Sequence, residues 1–225
     1  MQTEILYSPA YSLAKVALQP GEQLRAESGA MVSMSGGIRI ETQATGGFMK
    51  SLSRAVLGGE SFFQNTFHAD SGGEVTLAPR LPGDIMVFDL DNHEALVQSG
   101  SYLGSSTGIT IDAKWGGAKS FFASEGLFML KCTGSGPLII SSYGAIHRVT
   151  IPAGESYVVD TGHIVGFPTT MTYSVRKAGS LKSTVFGGEG LVCEFQGPGD
   201  LFLQTRSPSE FLSWLIPLLP NNRSN

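Results

Sequence analysis

The segment Ile151-Pro152-Ala153-Gly154-Glu155, followed by Asp160-Thr161-Gly162-His163-Ile164-Val165, decides the fold because the chain repeats its pattern. Leu18-Gln19-Pro20-Gly21-Glu22 and Glu27-Ser28-Gly29-Ala30-Met31-Val32 show the same order of apolar, glycine and acidic residues. A weaker middle copy is Asp91-Asn92-His93-Glu94 with Gln98-Ser99-Gly100-Ser101-Tyr102-Leu103. The three copies predict a chain built by internal repetition with a period of about 62 to 71 residues.

Further landmarks follow each copy in the same order. An apolar-polar-apolar triplet begins nine residues after Gly29, Gly100 and Gly162, and this alternation is typical of a half-buried strand. A glycine turn, an apolar strand, a second glycine turn and a closing strand come next. The closing strands are Val75-Thr76-Leu77, Leu138-Ile139-Ile140 and Leu201-Phe202-Leu203. Each unit is therefore predicted to be a meander of strands with glycine at its turns.

The repeat predicts an all-β protein with a single domain over residues 1–207. Within it we expect three β-sandwich units, at about 14–88, 89–150 and 151–206, related by pseudo-threefold symmetry. A lone unit would leave an apolar sheet face exposed, so the units should share a core. The composition agrees, because 29 glycines and 11 prolines supply turns while only 15% of residues are charged. It excludes a helical bundle and a disordered chain.

Charge and cysteine content limit the classes of partner and compartment. The net charge is −4 and no basic cluster is present, so we expect no nucleic-acid partner. Cys132 and Cys193 are too few for a disulfide framework, which favours a reducing compartment. The N-terminal residues lack a signal-peptide pattern. The sequence contains no run of about 18 apolar residues, so we expect no membrane-spanning helix. We therefore expect a soluble cytoplasmic protein.

A stretch of the third unit carries a family resemblance. It runs from Phe186-Gly187-Gly188-Glu189-Gly190-Leu191 through Gln196-Gly197-Pro198-Gly199 to Leu203-Gln204-Thr205-Arg206-Ser207. With it, the chain resembles an uncharacterised bacterial family related to the altered-inheritance-of-mitochondria proteins of eukaryotes. The resemblance implies a triplicated β fold like that of the tryptophan-RNA-binding attenuation protein. It brings no catalytic residues, and its mitochondrial relatives imply a membrane-organising or assembly role.

Candidate catalytic and metal-binding residues have simpler structural interpretations. Gly104-Ser105-Ser106-Thr107-Gly108 matches a nucleophile-elbow pattern, but a strand pattern follows it where that chemistry needs a helix. The four histidines are scattered without ligand spacing, and His163, beside Gly162, is the one candidate if a site exists. The recurring acids are expected to accept hydrogen bonds from backbone N–H groups in their turns, or else to converge on a cation; they are Glu60, Glu125 and Glu189, and Glu22 with Glu155. We predict no catalytic residue, no metal and no cofactor.

Two segments interrupt the β pattern. Residues 47–57 predict a short inserted amphipathic helix, in which Phe48, Leu52 and Val56 form the apolar stripe. That helix either packs on its own sheet or meets a membrane interface or a partner.

The second interruption is the C-terminal segment, residues 208–225. Ser207 as N-cap, Pro208 at the first helical position and Glu210 predict the start of a helix, and Pro217 predicts its end. Phe211, Trp214 and Leu215 form its apolar stripe. Such a tail must be covered by its own domain, another subunit or a lipid surface.

These features favour a non-enzymatic scaffold or interaction protein that self-associates and contacts a protein partner or a membrane surface. The alternative is a small-molecule-binding protein, or an enzyme, with a pocket between the β units.

Overall fold

The structure is a computed structural model that describes residues 1–44, 63–112, 128–178 and 191–220. The described strands are β1 (Gln2–Leu6), β2 (Leu13–Leu18), β3 (Glu22–Glu27), β4 (Met31–Met34), β5 (Arg39–Ala44), β6 (Phe63–Ala69), β7 (Gly73–Leu77), β8 (Ile85–Gln98), β9 (Tyr102–Ser106), β10 (Ile109–Asp112), β11 (Met129–Ser141), β12 (Ile146–Ile151), β13 (Ser156–Asp160), β14 (Ile164–Pro168), β15 (Thr172–Lys177), β16 (Leu191–Gln196) and β17 (Gly199–Gln204). Helix α1 (Pro208–Leu215) follows, and 3-10 turns lie at Ser99–Ser101, Thr161–His163 and Ile216–Leu218. The prediction of an all-β protein with a C-terminal helix is confirmed.

The described strands form three sheets by antiparallel pairing. One has the order β1-β2-β7-β4, and a second has the order β13-β16-β15. The largest runs β12-β17-β14-β8-β11-β9-β3-β6-β5, with β10 beside β11. Side chains alternate between core and surface, as in β2, where Ala14, Val16 and Leu18 are buried and the residues between them are partly exposed.

Similar pairings occur at the two ends of the chain. β2 and β4 both pair with β7, and β12 and β14 both pair with β17. β3 and β5 both pair with β6, and β13 and β15 both pair with β16. In the middle, the long strands β8 and β11 pair along their whole lengths. The arrangement of three units about a pseudo-threefold axis stays a prediction.

Two details differ from the expected meander. The glycines at Gly134 and Gly136 were predicted to make a turn, but β11 continues through them with a bulge between Gly134 and Ser135. Both glycines have positive φ angles, and the extra residue at the bulge is Asn92 of β8, which the pairing with β11 skips. The expected unit boundaries at residues 88/89 and 150/151 fall inside β8 and β12.

Three apolar clusters make up the described core. The first contains residues of β2, β3, β6 and β7, together with Leu103 of β9. The second gathers side chains from β13 to β17, with Leu96 of β8. The third lies between β8, β9, β10 and β11, and it includes Val165 of β14. Leu103, Leu96 and Val165 thus each belong to a cluster that is formed mainly by other strands, and they connect neighbouring parts of the chain.

Candidate functional site

Helix α1 begins as its capping residues predict. The Ser207 hydroxyl accepts a hydrogen bond from the Glu210 backbone N–H at 3.5 Å, and it also contacts the Ser209 hydroxyl at 2.7 Å. Pro208 occupies the first turn, where its missing N–H costs nothing. The helix ends at Leu215, and a 3-10 turn over Ile216–Leu218 contains Pro217.

The inner face of α1 packs on the β domain through Phe211. Its ring meets Tyr143, in the turn after β11, edge to face, with the ring centroids 6.1 Å apart. Phe211 and Leu215 are half-buried. This contact holds the helix against the end of the largest sheet.

The C-terminal segment carries apolar side chains that are open to solvent. The side chains that share this property are each between 49% and 65% exposed, and we call them the C-terminal apolar surface: Leu212, Trp214, Ile216, Leu218 and Leu219. The predicted stripe is therefore divided, because Phe211 and Leu215 are half-buried whereas Trp214, whose ring lies beside that of Phe211, is exposed. Several exposed large apolar side chains on one short segment favour a contact surface on a globular protein.

A cavity of about 530 Å³ lies beside α1. Its walls come from the turn after β7, the 3-10 turn at Ser99, the turn after β11, and Phe211 and Leu212 of the helix. Two polar atoms of its lining residues, Gln98 Nε2 and Ser99 Oγ, are buried and have no hydrogen-bond partner within the described part of the chain. Buried polar atoms without partners are rare, but these two lie just behind the accessible wall of the cavity, so a ligand could pair with them only after a small movement of the side chain.

The histidine candidate His163 lies in a separate, smaller groove with His147. Its Nδ1 is 2.7 Å from the backbone oxygen of Gln204, and its Nε2 is 4.0 Å from a carboxylate oxygen of Glu210. In the described ranges, no group of three or more histidine, cysteine or acidic side chains is placed to hold a metal ion.

Some predicted residues have structural roles, and others lie outside the described residues. Glu22 accepts a hydrogen bond from the Gln19 backbone N–H at 2.8 Å, and it pairs with the N-terminal amino group. These two contacts, the amino group first, hold the pKa of Glu22 below its usual range. The nucleophile-elbow motif lies on strand β9 and a following turn that leads to β10, so it is not an elbow. Outside the described residues lie Phe48, Leu52, Val56, Glu60, Glu125 and Glu189.

The family of this chain follows from its similarity to known proteins. The family model described as mitochondrial biogenesis AIM24 matches residues 3–206. The chain belongs to this family. The matched residues stop before α1, so the C-terminal apolar surface lies beyond the part that the AIM24 family model matches.

Two relatives from Streptococcus pyogenes extend the comparison. An uncharacterized protein of serotype M6 is 25% identical over 230 residues, which cover 99% of this chain and 92% of that protein. The crystal structure of an S. pyogenes protein superposes with a TM-score of 0.80 at 23% identity, covering 97% of this chain and 99% of the other. The second likeness shows that the fold is shared.

One feature was not predicted from the sequence: no other described strand pairs with the outer edges of β4 and β13. All four residues of β4 are exposed, as are the first three residues of β13. For β4 one signal in the sequence was available, because Ser33 stands where the aligned copies have Gly104 and Gly166.

Proposed function

We propose that this protein is a non-enzymatic scaffold that self-associates and binds a lipid surface through its C-terminal apolar surface. The observation that carries the lipid contact is the exposure of five large apolar side chains on one short segment, Leu212 to Leu219. Within the described residues, no helix is both long and apolar enough to cross a bilayer. The proposed contact is therefore interfacial, with α1 lying along the membrane surface.

The near absence of charge on this segment favours binding to a lipid surface through apolar contact and not through electrostatic attraction. Between Pro208 and Pro220 the only charged residue is Glu210, so anionic headgroups have no basic partner there. Moving each of the five side chains from half exposure into an apolar medium stabilises binding by about 1 kcal/mol, or about 5 kcal/mol in all. That is comparable with the reversible membrane binding of a single myristoyl chain.

Flotation with phosphatidylcholine vesicles tests this contact. The full chain should float with the vesicles to the same extent at low and high salt, whereas the double variant Leu218→Asp/Leu219→Asp should remain in the soluble fraction. Ile40→Asp is the matched control, because Ile40 is also exposed but lies on β5, away from α1. Equal flotation of the control and the double variant, or no flotation of the wild type, contradicts the proposal.

A second candidate function is the binding of a small molecule in the cavity beside α1. The supporting observation is the pair of unpartnered buried atoms, Gln98 Nε2 and Ser99 Oγ. Because the Gln98 amide nitrogen can only donate, the ligand would be a small, mainly apolar molecule that carries a hydrogen-bond acceptor. Arg80, which also lines the cavity, is paired with Glu27 at 2.9 Å.

A thermal-shift series with small carboxylic acids and amides tests the second candidate. A compound that raises the melting temperature of the wild type should lose that effect in Gln98→Met, which keeps the approximate shape of the side chain and removes its donor, together with the oxygen that accepts a hydrogen bond from the Ser101 hydroxyl. Ser213→Ala, on the outer side of α1, is the control. If no compound shifts the wild type, or if Gln98→Met responds equally, the cavity is not such a site.

A further inference from the structure

Two strand pairings connect parts of the chain that are far apart in sequence. In the first, β3 pairs with β9, and Arg25 lies opposite Ser105. In the second, β8 pairs with β14, and Leu96 lies opposite Phe167. The two pairings have the same register when residues are counted from the repeated glycines Gly29, Gly100 and Gly162. In each pairing, the residue four positions before one glycine (Arg25 or Leu96) lies opposite the residue five positions after the next glycine (Ser105 or Phe167).

A bulge accompanies each of these joints. In β9 and β14 the pairing with the neighbouring strand skips one residue, which is Leu103 in β9 and Val165 in β14. Both side chains are fully buried, and each enters the apolar cluster of the preceding part of the chain. The bulge thus directs one apolar side chain across the joint.

The same bulge occurs in β4, but nothing in the described structure covers it. The pairing of β4 with β7 skips Val32, which corresponds to Leu103 and Val165. Val32 is 59% exposed, and among the described strands β4 is paired on one side only.

The strand that would complete the series is β13, and its outer edge is also open. β13 corresponds to β3 and to the second half of β8, and among the described strands it pairs with β16 alone. Tyr157 is 42% exposed, whereas the corresponding Leu24 and Ala95 are buried, and Val158 is 46% exposed, whereas the corresponding Leu96 of β8 is buried. Among the described strands, both halves of a third joint are therefore present and unpaired.

We propose that β4 of one copy of this chain pairs antiparallel with β13 of a second copy. The register of the two existing joints places Ser33 opposite Val159, Met34 opposite Val158, and Ser35 opposite Tyr157. Val32 then enters the second copy's apolar cluster over β13 to β17. This inference names the surface for the self-association in the proposed function, and it does not depend on the lipid contact.

Ser33 argues for a second copy over closure within one chain. A Cβ atom on Gly104 would lie 3.0 Å from the Arg25 backbone oxygen, and one on Gly166 would lie 2.9 Å from that of Leu96. At the spacing of both joints, a side chain at this position would crowd the neighbouring strand, which favours glycine. If β4 paired with β13 of the same chain, the other two joints would fix the spacing between the two strands. At that spacing the Ser33 Cβ atom would clash with the backbone oxygen of Val158. A separate copy can pair at a slightly wider spacing.

The contact joins different surfaces of the two partners, so it is heterologous. Each copy keeps one open β4 and one open β13 after a dimer forms, and addition can continue unless the rotation closes a ring. We therefore expect assemblies larger than a dimer at high protein concentration.

Disulfide trapping between two differently tagged chains tests the joint and its register. One chain carries Met34→Cys and the other Val158→Cys, since directly opposite residues of an antiparallel pair lie within disulfide range. The native Cys132 and Cys193 do not compete, because both are fully buried. We expect a covalent heterodimer from this pair and much less from Met34→Cys with Ser156→Cys, which is out of register.

Sedimentation of Val32→Asp, compared with Ile40→Asp, provides the second measurement. Val32→Asp should be monomeric at concentrations where the wild type and Ile40→Asp assemble. The Ser33→Gly variant should also be more monomeric than the wild type, because it permits β4 to pair with β13 of the same chain. An intrachain disulfide in the double variant Met34→Cys/Val158→Cys, without any heterodimer from the separate chains, overturns the inference. Assembly unchanged by Val32→Asp overturns the joint and leaves self-association standing. A wild type that is monomeric at every concentration overturns both.

Discussion

Tyr143 and Phe211 meet with their ring centroids 6.1 Å apart and their planes at 74°, and this contact fixes α1 to the turn after β11. Trp214, three residues further along the same helix, lies beside Phe211 with the ring centroids 6.1 Å apart, and it is exposed to solvent. One aromatic residue thus holds the helix in place, while its neighbour along the helix remains available for an external contact.

The anchoring role of Phe211 gives the first prediction. Phe211→Ala should lower the free energy of unfolding by about 1–2 kcal/mol, less than a fully buried phenylalanine, because the ring is half-buried. Urea denaturation measures the loss, and limited proteolysis should show earlier cleavage within residues 208–220. Ser213→Ala, at an exposed position of the same helix, should change neither result.

A second prediction compares two residues at corresponding bulges. Leu103→Ala should lower the free energy of unfolding by about 2–5 kcal/mol, because it leaves a cavity in a closed apolar cluster. Val32→Ala should change it by less than about 0.5 kcal/mol in dilute protein, since the side chain is already exposed. Similar losses for the two variants would mean that Val32 is covered within the monomer.

A third prediction concerns acid stability. The Arg148 guanidinium and the Thr150 hydroxyl, each 2.6 Å from a carboxylate oxygen of Asp200, hold the pKa of Asp200 below its usual value of 3.8. A lowered pKa in the folded state means that the ionised carboxylate stabilises the fold. That contribution is present above the unfolded-state pKa and is lost as the pH falls through the folded-state pKa.

Asp200→Asn should therefore reduce stability near neutral pH, with a difference from the wild type that shrinks as the pH falls below about 4. Urea midpoints across an acid pH series measure this difference. Asp89→Asn, at an exposed position of β8, serves as the control. A difference that stays constant down to the lowest pH would show that the charge of Asp200 does not contribute.

A fourth prediction concerns the two thiols. Burial raises the pKa of Cys132 and of Cys193 to about 12, and both side chains are free and fully buried. Because the thiolate is the reactive form, a disulfide reagent at mildly alkaline pH should label neither thiol in the folded protein and both after unfolding. Rapid labelling of the native chain would mean that the strands carrying them open readily.

The fold class and the C-terminal helix could be predicted because their signals are local. Strand alternation and glycine spacing indicate meanders, and Ser207 with Pro208 indicates the start of α1. The exposed edges could not be predicted in this way. Met31-Val32 follows the same pattern as Tyr102-Leu103, and the difference in exposure depends on which strand lies alongside in space.

The split of the predicted stripe on α1 has a similar cause. Phe211, Trp214 and Leu215 lie on one apolar side of the helix in a helical projection, but the ring contact with the domain is the one between Phe211 and Tyr143. The position of that contact depends on the turn after β11, which the helix sequence does not contain. The cavity beside α1 is likewise formed by turns from separate parts of the chain.

The unbroken strands β8 and β11 have a consequence for how the chain folds. They pair from Ile85–Ser141 at one end to Gln98–Met129 at the other, and they connect the strands on both sides of them in the largest sheet. A fragment cut at residue 88 or 150 would leave a long strand with half of its neighbours missing. We therefore expect the described strands to unfold in one cooperative transition, with the slowest amide exchange in the β8–β11 pair, and no single repeat to be stable when expressed alone.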